Sequence, residues 1–488
     1  MSVRPFVALV LSLSIVVSLN VYAQKKKDKK KKPSKEEIEK LVKKVKPKKA
    51  SLDKLLQSDT STWDMTPEVF EKQWTPFFKW MKKDEKTGAR YHMFGTPHRL
   101  DLFGHRVWEA NARFKDGKFN EIEVSLYNRG DANTLIRMSN GKKENLHLNE
   151  TKFKELLKDL NSKINEWLQT KGKVMPPRKL VGSSKDAIYE EYWVKDDKCV
   201  GLQWSGSKVE KAYMPEYLKL TYCKFDPHND PRKTITRAKN AGRLANVKTL
   251  KNNVKQKDGF TYIDNIPMVD QGPKGYCAVA ATERVLRYYG AEVDQHQIAQ
   301  LVKTTVGTNP VKMFQMLKKA GPGLGIKIMS YLDPPDLEKG YNDRAVREYV
   351  KQLEKFNKYL KRNDQPEVQL VYPLCAALKG TERLELLKAY KCDKCKRDFN
   401  KFKTNIKKNI DVGIPVVWGL FVGIVEEEGK IPQGFGGHMR LIIGYNKDVS
   451  KIVFTDTWGA GHEFKTMNTR DAWVVTSFYA VFKPRKNY

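Results

Sequence analysis

The chain is poor in the side chains that most often mark chemistry: 8 His and 6 Cys among 488 residues. One CxxC is present, with no second CxxC and no HxxxH near it, so the four-ligand pattern of a zinc site is missing. Long apolar runs are missing too. After the first two dozen residues none approaches the ~18 needed to cross a bilayer. No internal repeat is evident, which argues against repeat arrays. Acidic residues are few beside basic ones, 57 against 91, for a net charge of +34. No aromatic-interleaved basic motif accompanies that excess, so no specific nucleic-acid partner is expected.

What is present begins with "MSVRPFVALVLSLSIVVSLNVYAQ". One base, an apolar run and then Val21-Tyr22-Ala23 read as a signal peptide over 1–23. The expectation is an exported protein, secreted or held in the periplasm or cell envelope, with no transmembrane segment after cleavage. Residues 24–50 follow as a Lys-rich solvated tail, with 14 Lys against four acids between Lys25 and Lys49. Outside the cytosol its expected contacts are anionic envelope polymers or headgroups. Export permits disulfides. Cys199 and Cys223 lie in strand-like segments that a disulfide could bridge, and Cys392-Asp-Lys-Cys395 is expected to close locally. Cys375, in "VYPLCAALKG", reads as core. Cys277 is left over.

The length exceeds one typical domain, and the 40% apolar content supports sizeable cores. Residues 51–229 mix helical signals ("TPEVFEKQWTPFFKWMKK", "NETKFKELLKDLNSKINEWLQTK") with alternating strands, and Asp116-Gly117 reads as a hairpin turn. An antiparallel α+β domain is expected there. It shows no catalytic constellation; His92, His98 and His105 fit no common metal spacing and read as ordinary surface or half-buried residues. Residues 230–259 are basic and aperiodic, an expected linker. Residues 260–488 run from helical segments to strand-like ones ("IPVVWGLFVG", "HMRLIIGYN", "KIVFTDTWG", "AWVVTSFYAVF"), an α+β domain of two packed lobes.

Cys277 sits where a Gly- and Pro-rich loop, "MVDQGPKGY", turns into the helical "AVAATERVLRYY". A cysteine acts as nucleophile only as thiolate, which a helix N-terminus and an imidazolium neighbour both favour. The helix end supplies about 0.3–1 kcal/mol, too little by itself. A base is required. His296, in a Gln-rich helix, reads as a surface residue. His438 follows Gly436-Gly437 and opens an apolar strand, and Asp456 ends the next strand, where it can orient an imidazole. His462 is the runner-up.

"IPMVDQGPKGYCAVAATERVLRYYG", with "GGHMRLIIGYN" and "FTDTWG" downstream, resembles papain-fold cysteine peptidases of the C39-like type. The likeness spans much of 260–485 in the family's chain order. It implies a helical lobe followed by an antiparallel β lobe, with Cys277 as nucleophile, His438 as general base and Asp456 as its orienter. Gln271 is then an oxyanion donor beside the Cys277 N–H. Ala278-Val279 after the nucleophile departs from the family pattern. The roughly 160 residues from Cys277 to His438 exceed the ~130–150 usual in papains, and a helical insertion near 331–406 would account for the excess.

The expected function is an exported cysteine hydrolase acting on peptide or isopeptide bonds through a thioester, with a peptide or protein substrate and no cofactor or metal. Two alternatives stand beside it: a binding or adaptor module with an unused cysteine, and a transglutaminase-like acyl transferase.

Overall fold

The computed structural model describes residues 48–485 except 58–59, 83–84, 139–145, 181–184, 210–211, 234–246, 292, 305–309 and 430. The expected leader, the Lys-rich run up to residue 47 and residues 234–246 of the expected linker lie outside the described residues.

Helix α1 (Pro67–Trp74) opens on Thr66, whose hydroxyl accepts from the Val69 N–H, with proline at the first helical position. Its sequence signal continues to Lys83, but the helix stops at Trp74. Pro76 disfavours helical geometry at the residue before it, and Thr75 is extended at φ −71° and ψ 130°. The chain then builds an antiparallel sheet from β1 (Gly88–His92), β2 (Glu109–Lys115) and β3 (Lys118–Asn128). Helices α2 (Arg129–Met138) and α3 (Glu150–Leu168) follow, then β4 (Ala187–Lys195), β5 (Lys198–Val209) and β6 (Ala212–Lys224). The strand order is β1-β2-β3-β6-β5-β4, with short edge strands outside. Asp116 and Gly117 both take positive φ, 52° and 73°, as a two-residue hairpin joining β2 and β3 requires. Cys199 and Cys223 stand directly opposite in the β5–β6 ladder.

The second sheet draws on β7 (Val254–Lys257), β8 (Phe260–Ile263), β9 (Ile326–Leu332), β10 (Val416–Val422), β11 (Gly436–Asn446), β12 (Lys451–Thr455), β13 (Lys465–Asn468) and β14 (Thr476–Pro484). The order is β7-β8-β11-β10-β14-β9, with β12 on β11 and β13 on β12. Between its strands come α4 (Cys277–Tyr288), α5 (Gln295–Leu301), α6 (Pro310–Ala320), α7 (Arg344–Lys361), α8 (Lys396–Ile410) and α9 (Thr469–Val475).

The chain is therefore α+β, but the expected order of helices first and strands second is incomplete. Three strands of the second sheet (β7, β8, β9) arise in the helical half, and β7 lies within the expected linker. Each is an edge or near-edge strand, only partly buried, so its apolar signal in sequence is weak. "AWVV" ends a helix rather than starting a strand. Two hydrophobic cores form, one among residues 52–222 and one among 250–482.

The local Cys392–Cys395 disulfide is not formed, and both residues carry free thiols. They sit in and just after a π-helical turn (Tyr390–Lys394) and serve different neighbours. The Cys392 thiol lies 4.0 Å from the Arg470 carbonyl, and the Cys395 N–H donates to the Tyr390 carbonyl at 2.8 Å. Cys375 is buried, as expected of a core residue. Among the described residues no helix is long and apolar enough to cross a membrane.

Candidate active site

Cys277 is the first residue of α4. No side chain caps this helix start, so the first-turn N–H groups keep their hydrogen-bonding capacity and the positive end of the dipole faces the thiol. The helix itself is buried almost all round, from Ala278 to Leu286, which fixes the sulfur's position rigidly. One fully buried side chain sets that helix against the far strand. The Arg284 guanidinium donates to the Asp456 carbonyl (2.6 Å), the Thr455 hydroxyl (2.7 Å) and the Pro267 carbonyl (2.8 Å). Burial brings this arginine down to about 10.

His438 is the third residue of β11, held between β10 and β12, and is buried. Its Nε2 lies 2.6 Å from Asp456 Oδ1, and Asp456 follows the last residue of β12. Because that carboxylate can only accept, Nε2 is the donor. The other ring nitrogen, Nδ1, is buried without a hydrogen-bond partner, and the Cys277 thiol, at the start of the helix packed against this strand, is near enough to help raise the ring's pKa. Trp458 stacks on the imidazole, centroids 4.3 Å apart and planes 15° apart, and screens the His–Asp pair from water.

Burial alone would lower the His438 pKa. The Asp456 charge and hydrogen bond, followed by the Cys277 thiol, outweigh burial and raise it to about 9. Asp456 shows the mirror image. Burial pushes it up, but the charges of His438 and Arg440 hold it well below the usual carboxylate range. At neutral pH the ring is thus an imidazolium between a carboxylate and a thiol. Since the folded pKa lies above the ordinary 6.5, protonation of His438 favours the folded state. That contribution is complete below about pH 6.5 and is lost as pH rises through about 9. His438→Gln keeps a donor for Asp456 but cannot titrate. The stability gap between wild type and this variant, measured by denaturant unfolding, is expected to shrink from pH 6.5 to 9.5. A constant gap contradicts the assignment.

Gln271 is 6% exposed, and its amide is oriented from the opposite wall. Its Oε1 accepts from the Thr457 hydroxyl at 2.6 Å, and its backbone N–H donates to the Thr457 carbonyl at 2.8 Å. With the oxygen engaged, the donor left to a ligand is Nε2. Thr457 in turn donates its N–H to Asp456 Oδ1 at 2.7 Å, so the amide and the orienting carboxylate share one turn. All four residues expected from sequence therefore converge: Cys277 and His438 on facing elements, Asp456 behind the ring, and Gln271 in the loop leading to Cys277.

The runner-up, His462, contributes its backbone carbonyl to the Asp456 N–H (2.9 Å), and its ring meets the edge of Trp458 rather than the thiol. His296 is not a surface residue. It is 7% exposed and packs between Tyr217 and Tyr276, because α5 is covered by the N-terminal sheet. Of the N-terminal histidines, His105 is half-buried as expected, but His92 and His98 are not ordinary. His92 and His98 are each 7% exposed, His98 Nδ1 accepts from Lys48 N–H, and His92 joins Asp131 in a buried charged cluster.

Sequence reasoning missed Arg440, whose Nε lies 2.6 Å from Asp456 Oδ2 and whose Nη1 lies 2.8 Å from Glu427. Its signal was legible: a charge two residues after His438 in an otherwise apolar strand occupies the same face.

Residues 373–481 match the model of the Peptidase_C39 like family. The matched segment contains His438 and Asp456 and begins downstream of Cys277 and Gln271. No curated protein matches the chain.

Proposed function

We propose that this chain, which carries a C39-like peptidase domain, is an exported cysteine hydrolase that cleaves peptide or isopeptide bonds. The carrying observation is the buried imidazole hydrogen-bonded to Asp456 on the strand against which the helix opening at Cys277 packs. In this reading residues 260–488 are the papain-like catalytic domain, 51–229 a separate α+β domain, and 1–23 a leader followed by a Lys-rich tail that meets anionic envelope polymers.

The thiolate of Cys277 attacks the carbonyl carbon, and the carbonyl electron pair moves onto oxygen. Gln271 Nε2 and the Cys277 N–H receive that oxyanion, and a neutral amide does so without disturbing the thiolate. On collapse the C–N bond breaks, the leaving amine takes the proton from the His438 imidazolium, and a thioester remains. His438, now neutral, takes one proton from water, whose oxygen displaces the sulfur as thiolate, and the acid product gives its remaining proton to solvent and leaves as carboxylate. Asp456 stays ionised throughout and holds the ring in line.

The test is hydrolysis of a broad peptide library by the purified chain. Wild type is expected to cleave a subset of the library, and Cys277→Ala none. A wild type inert across the library sinks the reading. Added amine appearing in the product in place of water turns the assignment to acyl transfer.

A further inference from the structure

The loop from Asp270 to Tyr276 carries Gln271 and delivers Cys277, yet most of its anchors lie outside the C-terminal core. Asp270 Oδ2 pairs with Arg90 Nη1 of β1 at 2.6 Å, and Asp270 Oδ1 accepts from the Gly272 N–H at 2.8 Å. Gly272 takes φ +64°, and a side chain there would meet the His92 ring at 3.2 Å. Lys274 is fully buried, with Nζ 3.0 Å from Glu109 of β2 and 3.5 Å from Asp131 of α2. Tyr276 lies so close to Gly130 of α2 that a Cβ there would run into its hydroxyl.

The cluster's members also bond one another. Arg90 Nε donates to Glu109 Oε1 at 3.1 Å, and Asp131 Oδ2 also meets His92 Nε2 (3.3 Å) and Asn128 Nδ2 (2.7 Å). Burial would push both carboxyls up. Arg90 and Lys274 beside Glu109, and Lys274 and His92 beside Asp131, hold them well below the usual range. His92, Glu109 and Asp131 bring ligand atoms within 4.8 Å of one another, the spacing of a cation site. The cation they meet is the Lys274 ammonium, delivered by the nucleophile loop. Burying such ions costs several kcal/mol each, so the arrangement is a poor way to gain stability and a good way to fix one register. The next helix is gripped from the same sheet, Lys219 pairing with Asp294 and Gln203 accepting from Gln297 Nε2 at 3.1 Å.

We propose that the N-terminal sheet is a standing part of the catalytic apparatus. Arg90, Glu109 and Asp131 are positioning residues that seat Asp270 and Lys274, and through them hold Gln271 and the Cys277 N–H where the oxyanion forms. This rests on the hydrolase reading above. It excludes a removable inhibitory cover, because a cover would not be built into the loop that must stay in place during turnover.

The experiment uses the full chain, one library peptide that wild type cleaves, and iodoacetamide, whose reaction with Cys277 forms no oxyanion. In Lys274→Met, kcat is expected to fall ~10-fold or more while KM stays within about two-fold, the mark of lost transition-state geometry. The iodoacetamide rate at Cys277 should hold, since α4 and His438 are seated by the C-terminal core. Lys274→Met strands two buried carboxylates and risks unfolding. Asp270→Asn is therefore the companion: it keeps an acceptor for Gly272 and loses only the charge facing Arg90, and the same split is expected. An unchanged or raised kcat overturns the inference, as does an equal fall in kcat and alkylation, which marks general damage. A wild type that cleaves nothing, with Cys277 no more reactive than glutathione, fails the hydrolase reading itself and takes the inference with it.

Discussion

His438→Ala is expected to lower turnover by ~10²–10⁴ while leaving the chain folded. In the proposed mechanism the imidazole carries two tasks at one place. Its positive charge, kept to about pH 9 by Asp456, favours the thiolate, and its proton goes to the departing amine. Both are lost with the ring, and no second imidazole can take over: His462 faces the edge of Trp458 and His296 sits between two tyrosines. The steady-state rate on a cleaved library peptide, with far-UV circular dichroism as the folding control, checks this. A loss below about five-fold contradicts a general-base role.

Gln271→Ala is expected to cost ~10²–10³ in kcat, with KM little changed, because in the proposed mechanism the amide serves the oxyanion and not the ground-state carbonyl. The Thr457 hydroxyl already holds Oε1, so Nε2 is aimed before substrate arrives and pays no reorganisation at the moment of reaction. Gln271→Glu is a sharper variant. It keeps the size and can still meet Thr457, but it sets a negative charge where a second one develops. It should be at least as inactive as the alanine variant. A Gln271→Glu enzyme faster than Gln271→Ala removes the oxyanion role.

The four residues of the proposed site could be singled out in sequence because each sits at a local discontinuity. Cys277 marks a loop-to-helix change, His438 the start of an apolar strand after two glycines, and Asp456 the end of the next strand. Helices such as α3 and α4 and the Asp116-Gly117 hairpin were legible for the same reason: period and turn chemistry agree. What stayed hidden depends on distance along the chain. Lys274 reads as one more lysine in a basic protein until β2 and α2 place Glu109 and Asp131 against it, with 165 residues separating Lys274 from Glu109. His92 reads as ordinary for the same reason. Strand β9 was hidden because an edge strand with mostly half-exposed residues has little apolar contrast, and the Cys392–Cys395 spacing suggested a bond that the π-turn directs elsewhere.

The most direct test of the Cys277–His438 pair needs no substrate. Carboxamidomethylation of Cys277 by iodoacetamide is followed by mass spectrometry at pH 6, where an ordinary thiol with a pKa near 8.5 is almost wholly protonated and slow. Wild type is expected to react much faster than glutathione, His438→Ala to drop towards the glutathione rate, and His462→Ala to react as wild type does. Equal rates in wild type and His438→Ala, or a loss confined to His462→Ala, would contradict the pair.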